Sequence, residues 1–165
     1  LDESFAVRNY RSEDLHLFAD LYHRIFQSQS PAISKEKSVD LMKAWTSGPT
    51  FDSDIYFIAE KNGAGIGIAA AEIVNPKTGL AHLFEIGVLS RFKGVRVADM
   101  LFQHCVRALL EKGSSGMTVR VKEKNLRARS FFKSCGFSNS YRRVNYQIKG
   151  HDADSQKFWE DYMKT

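Results

Sequence analysis

Three strand-like segments stand in a row before a long amphipathic helix, and that succession limits the chain more than any other feature. Residues 55–60 and 66–74 flank Asn62-Gly63, a pair suited to the positive φ angles of a tight hairpin. Asn75-Pro76-Lys77-Thr78-Gly79 is a second turn and leads into residues 80–88. Short turns join antiparallel neighbours, so the three strands form a meander. Val97, Met100, Leu101, His104, Cys105, Ala108 and Leu109 then recur at helical spacing up to Lys112-Gly113. Residues 117–121 follow as a short strand. A strand reached through a helix returns parallel to the strand before it. The predicted sheet is therefore mixed and mostly antiparallel.

The flanking segments fill in the rest. Phe5, Val7 and Asn9 alternate with Ala6 and Arg8 as a first strand over 4–10. Ser12 reads as the cap of a helix carrying Leu15, Phe18, Leu21, Tyr22, Ile25 and Phe26. Ser34 caps a second helix with Val39, Met42 and Trp45 inward, stopped by Gly48-Pro49. Residues 126–135 form a late helix with Gly136 as a left-handed cap, and 137–140 and 144–149 read as closing strands. The expectation is one α+β domain over residues 1–150, a twisted sheet flanked by helices. Residues 151–165 add a C-terminal helical tail capped by Asp154. Its face of Phe158, Trp159 and Tyr162 reads as docking on the domain's own surface, with a dimer or partner contact as the other reading.

Composition narrows the class. A chain of 165 residues, 43% hydrophobic and 26% charged, is ordinary for one globular domain and excludes disordered, collagenous and coiled-coil chains. No apolar run approaches the ~18 residues of a membrane span, since the longest, 65–74, is broken by Glu72. Cys105 and Cys135 match neither a disulfide framework nor a zinc motif, and read as reduced thiols of a cytoplasmic core. His104 falls on an apolar stripe, and His16, His23, His82 and His151 lack metal-ligand spacing, so no metal site is expected. The chain begins at Leu1 and not Met, so the expectation is that its true N-terminus is missing and that a targeting segment would not be visible in it. Charge is uneven. Residues 1–89 hold 8 basic and 12 acidic side chains, residues 90–149 hold 14 and 3, and residues 150–165 hold 2 and 4. A basic central stretch suits a polyanion, either a nucleic acid or a small polyphosphate, or else is a solvated face without a ligand.

Two segments carry a resemblance. The first runs from Glu85-Ile86-Gly87-Val88 through Lys93-Gly94-Val95-Arg96-Val97-Ala98. The second is Asn125-Leu126-Arg127-Ala128-Arg129-Ser130-Phe131-Phe132, ending in Gly136-Phe137. With the order of strands and helices they resemble the GNAT N-acetyltransferase family, over nearly the whole chain up to about Lys149. In that family a strand is followed by a loop Arg/Gln-x-x-Gly-x-Gly/Ala and a helix, and a late helix begins at an Asn. The loop can start at Arg91 or at Lys93. The second choice keeps Ala98 in the last place and leaves Met100, Leu101 and Phe102 as helix core, and puts Arg96 where the family has glycine. The physics of such a loop is independent of the name. Backbone N–H groups at a helix N-terminus point outward, and with the helix dipole they suit a pyrophosphate.

The resemblance implies acetyl-CoA as co-substrate, held by Lys93, Gly94, Val95, Arg96, Val97 and Ala98. The strand Ile86, Gly87 and Val88 would align the thioester, and Asn125, Ala128, Phe131 and Phe132 would contact the coenzyme. It implies a small-molecule or peptide amine acceptor lined by the helices of residues 12–47, with neither nucleic acid nor membrane as partner, in a monomer or homodimer. Glu85 interrupts an apolar strand. Burial among apolar neighbours raises a carboxyl's pKa and suits a general base, the role the family gives a Glu here, while pairing to an Arg is the structural alternative. The family's leaving-group acid, a Tyr, is replaced by Phe132, with Tyr141, Tyr146 or water as substitutes. Arg96 and Phe132 also support a rival, an acyl-CoA-binding domain without turnover. A nucleic-acid module on 90–149 is the third reading.

Overall fold

The computed structural model describes residues 4–27, 33–94, 96–139 and 145–149. The chain runs through strand β1 (Phe5–Asn9), helices α1 (Leu15–Phe26) and α2 (Lys35–Ser47), then strands β2 (Tyr56–Lys61), β3 (Ala64–Asn75) and β4 (Leu80–Val88). Helix α3 (Val97–Glu111), strand β5 (Gly116–Arg120), helix α4 (Leu126–Ser134) and strands β6 (Ser138–Asn139) and β7 (Asn145–Lys149) complete it. The strands pair in the order β1-β2-β3-β4-β5-β7-β6. The β4–β5 pair is parallel, and β1–β2, β2–β3, β5–β7 and β6–β7 are antiparallel. This is the mixed α+β sheet expected. Tyr141 and the predicted tail helix of 151–165 lie outside the described residues.

Local chemistry sets the element ends. Asn62 and Gly63 take φ of 51° and 79°, the paired left-handed residues of a two-residue hairpin turn. Ser34 caps α2 by accepting the Lys37 N–H at 3.2 Å. Gly136 takes φ 89°, and behind it the Phe137 N–H reaches the Phe132 carbonyl at 3.1 Å, closing α4. Ser12, expected as the cap of α1, caps nothing. Residues 12–14 form one 3₁₀ turn, and the Asp14 carboxylate takes the Arg11 N–H at 2.7 Å. The cause is non-local. Arg8 on β1 grips Asp14 with two N–H···O bonds of 2.8 and 2.9 Å and Glu60 on β2 with a third of 2.8 Å. That grip holds the Asp14 carboxyl below its ordinary value.

The chain divides into two compact units, one of Leu1–Glu72 with Glu85–Ala108 and one of Ile73–Phe84 with Leu109–Thr165. In the first, helices cover both faces of the sheet. A Cβ at Gly65 would stand 2.9 Å from Leu21 of α1, and one at Gly87 2.6 Å from Ile25 and 2.7 Å from Phe26. On the other face a Cβ at Gly67 would stand 3.1 Å from Leu101 of α3, and Phe57 stacks edge-on with His104 at 5.8 Å. Gly65 and Gly67 would share a face in a regular strand. The register slips at Ala59/Glu60, where Ile66 is the extra residue, and so they do not. Phe18, Leu21, Met42, Ile58, Ile68, Leu101 and Phe102 are fully buried.

In the second unit the Ser114 hydroxyl donates to the Gly79 carbonyl at 2.6 Å, tying the β3–β4 turn to the segment before β5. Phe132 packs edge-on against Phe131 and Phe137, with ring centres 5.2 and 5.3 Å apart.

Candidate active site

Glu85 sits on β4 two residues before Gly87 and so shares the face that α1 covers. Because Gly87 has no side chain, Ile25 and Phe26 come down onto the strand, and the carboxyl lies half-buried beneath the helix. Burial pushes the Glu85 carboxyl up to about 8, opposed by the Ile86 N–H, which favours the ionised form. Among the described residues no Lys or Arg pairs with Glu85, so the structural alternative of an Arg partner is not what these residues form. Tyr22 of α1 lies near enough that the Glu85 charge, after burial, helps hold its phenol above the ordinary value. Sequence reasoning placed Tyr22 on the apolar stripe of its helix but missed this neighbour, since only the packing of α1 on Gly87 brings the two together. Ile86 and Val88 point to the opposite face, where a Cβ at Gly67 would stand 3.4 Å from Val88.

After β4, Ser90–Phe92 makes one 3₁₀ turn, Lys93 and Gly94 are exposed, and α3 begins at Val97. Val95 lies outside the described residues. Gly94 takes φ 92° and Arg96 takes φ 62°. Position 96 thus holds the left-handed backbone that glycine adopts freely and Arg only under strain. The Arg96 side chain is 69% exposed and its Nε lies 3.5 Å from the Asp99 carboxylate. The Met100 N–H returns to the Arg96 carbonyl at 3.1 Å, while the N–H groups of Val97 and Ala98 have no intrahelical acceptor. Around this loop, Lys61 lies over the Phe92 ring at 5.7 Å and Arg91 at 4.9 Å. Lys61, Arg91, Lys93 and Arg96 therefore give a helix N-terminus a cationic border.

The late-helix residues belong to the second unit. Asn125 caps α4, its side-chain oxygen accepting the Ala128 N–H at 3.1 Å. Ala128 and Phe131 are half-buried, and Phe132 is only 4% exposed, packed against the rings of Phe131 and Phe137. Of the two tyrosines suggested in its place, Tyr146 sits on β7 opposite Val119. His104 is half-buried, its Nδ1 2.8 Å from the Met100 carbonyl, as a packed core histidine would be. Among the described residues no three His, Cys, Asp or Glu side chains cluster to hold a metal, and no helix is long and apolar enough to cross a membrane.

Residues 18–137 match the acetyltransferase (GNAT) family. This chain belongs to the GNAT family. It is 26% identical over 147 residues to an uncharacterised N-acetyltransferase of Methanocaldococcus jannaschii, a match covering 83% of this chain and 62% of that protein. The chain therefore spans less than two thirds of that relative. Among solved structures, a GNAT acetyltransferase of Brucella melitensis in complex with acetyl-CoA superposes with a TM-score of 0.71 at 16% identity, covering 90% of each chain. The PaiA N-acetyltransferase of Thermoplasma acidophilum in complex with coenzyme A gives 0.70 at 16% identity, covering 88% of this chain and 99% of that one. At such identities the likeness is one of fold, and the GNAT fold is what this chain adopts.

Proposed function

We propose that the protein transfers an acetyl group from acetyl-CoA directly to a primary amine, with Glu85 as general base. The observation that carries this reading is Glu85 itself, a carboxyl without a cationic partner among the described residues, on the strand that precedes the loop. Its pKa near 8 suits proton removal close to neutrality. The amine enters as its ammonium and gives a proton to the Glu85 carboxylate. Its lone pair then attacks the thioester carbonyl, the C–N bond forms, the C–S bond breaks and coenzyme A leaves as thiolate. The proton still on the nitrogen passes through water to that thiolate, giving the neutral amide and the free thiol, since Phe132 has no proton to give.

The N–H groups at the start of α3 and the cations Lys61, Arg91, Lys93 and Arg96 suit a pyrophosphate, and Ile86, Gly87 and Val88 are the backbone along which the thioester would lie. Asn125, Ala128, Phe131 and Phe132 are proposed as coenzyme contacts on family resemblance alone.

Calorimetric titration with acetyl-CoA, with coenzyme A as control, tests the first half. Saturable binding well tighter than ~1 mM is expected. Thiol release on adding amines tests the second. The buried Phe132 favours a second reading, coenzyme binding without turnover. It predicts binding with no thiol release for any amine.

A further inference from the structure

We infer that the acceptor is a primary amine with one positive charge on an apolar or aromatic stem, received against the rings of Tyr22, Phe26 and Trp45 beside Glu85. This rests on the acetyl-transfer reading above. The ring centres of Tyr22 and Phe26 lie 5.0 Å apart, and those of Tyr22 and Trp45 lie 5.5 Å apart at 87°. All three side chains are half-buried, so each keeps surface that the core does not use. Two of them sit one helical turn apart on α1 and the third is on α2. Gly87 brings this end of α1 down onto the strand of Glu85.

Perpendicular rings present both a face and an edge, and a ring face attracts an ammonium once it leaves water. The other carboxylates of these helices and of β3 are either paired or exposed to water, where an ion pair with a second ammonium contributes little. Asp20 pairs with Arg24 at 3.6 Å and Lys35 at 3.7 Å, Glu72 accepts the Thr50 hydroxyl at 2.6 Å, and Glu36 and Asp40 are exposed. A second or third ammonium would therefore be desolvated against rings without a counter-charge. The acidic balance of residues 1–89 therefore does not by itself argue for a polycationic acceptor.

The test measures thiol release from acetyl-CoA with three amines: 2-phenylethylamine, spermidine and a short peptide with an N-terminal phenylalanine. The aromatic amines are expected to exceed spermidine in kcat/KM by about tenfold, and the two aromatic arms distinguish a free amine from a peptide end. Trp45→Ala should raise the KM of the better amine about tenfold with the acetyl-CoA KM unchanged, and Trp45→Phe should restore most of it. Tyr22→Leu gives the same readout should Trp45→Ala fail to fold. Spermidine equal to or better than both aromatic amines, or an amine KM indifferent to these changes, overturns the inference alone. Transfer to none of the three overturns the inference, and no thiol release across a wider set of amines overturns the acetyl-transfer reading together with it.

Discussion

Arg96 occupies a backbone conformation that costs an L residue on the order of 1–2 kcal/mol, and the loop keeps that conformation without glycine. Arg96→Gly is accordingly expected to stabilise the protein by about 1 kcal/mol, read as a higher urea midpoint at unchanged slope. A lower midpoint would mean that the Asp99 contact outweighs the strain. Glu85 makes a second prediction. Unfolded, the carboxyl ionises near 4.5, and folded it ionises near 8. Between those values the unfolded chain has released a proton that the folded one keeps, so stability falls as pH rises through this window. Glu85→Gln has no such proton. It should match the parent near pH 4 and exceed it near pH 9 by on the order of 2 kcal/mol, less than the full linkage value because the side chain is partly solvated. In the same window kcat/KM should rise with pH through about 8 as the base ionises. The Gln variant should lose about a hundredfold in rate together with that inflection. An unchanged pH profile removes Glu85 from the mechanism.

At the scale of elements, legibility followed the range of the forces involved. The bounds of β4, the turn at Asn62-Gly63, the cap at Ser34 and the stop at Gly136 depend on neighbours a few residues away, and the sequence displays those neighbours directly. The start of α1 departs from its local sequence signal because Asp14 answers to Arg8, and the shift at Ile66 has no local signal because a bulge is a property of two paired strands. The neighbourhood of Glu85 was half legible. Its strand and face followed from alternation, whereas Tyr22 came from how α1 packs. Gly87 is the element-scale device behind that packing, and it can be tested. A Cβ there meets Ile25 and Phe26 at 2.6 and 2.7 Å, distances that helix α1 must yield to. Gly87→Ala should destabilise by roughly 1–3 kcal/mol, the range for an overpacked core. Tyr22 fluorescence or near-ultraviolet dichroism should change with it. A midpoint equal to the parent's would show that α1 shifts without cost.

The whole chain carries a net charge of +5, but residues 90–149 hold 14 basic against 3 acidic side chains while residues 1–89 hold 8 against 12. Charge at this scale governs encounter and says little about fold. In the proposed reaction the two substrates differ in sign, acetyl-CoA being a polyanion and the amine a monocation. Lys61, Arg91, Lys93 and Arg96 border the loop, and the charges of exposed side chains are screened beyond roughly 8–10 Å at ordinary ionic strength. Raising salt from about 0.05 to 0.5 M should therefore weaken acetyl-CoA binding about tenfold, mainly through a slower association rate. The amine KM should hold nearly constant, because rings and a partly desolvated site are screened far less. The assay separates the two by titrating acetyl-CoA calorimetrically and the amine kinetically at saturating acetyl-CoA. Salt-independent coenzyme binding would mean that backbone N–H groups at the start of α3 hold the phosphates without the surrounding cations. A steep salt effect on the amine instead would place surface charge in the acceptor's path and return the acidic residues of α1 and α2 to the argument.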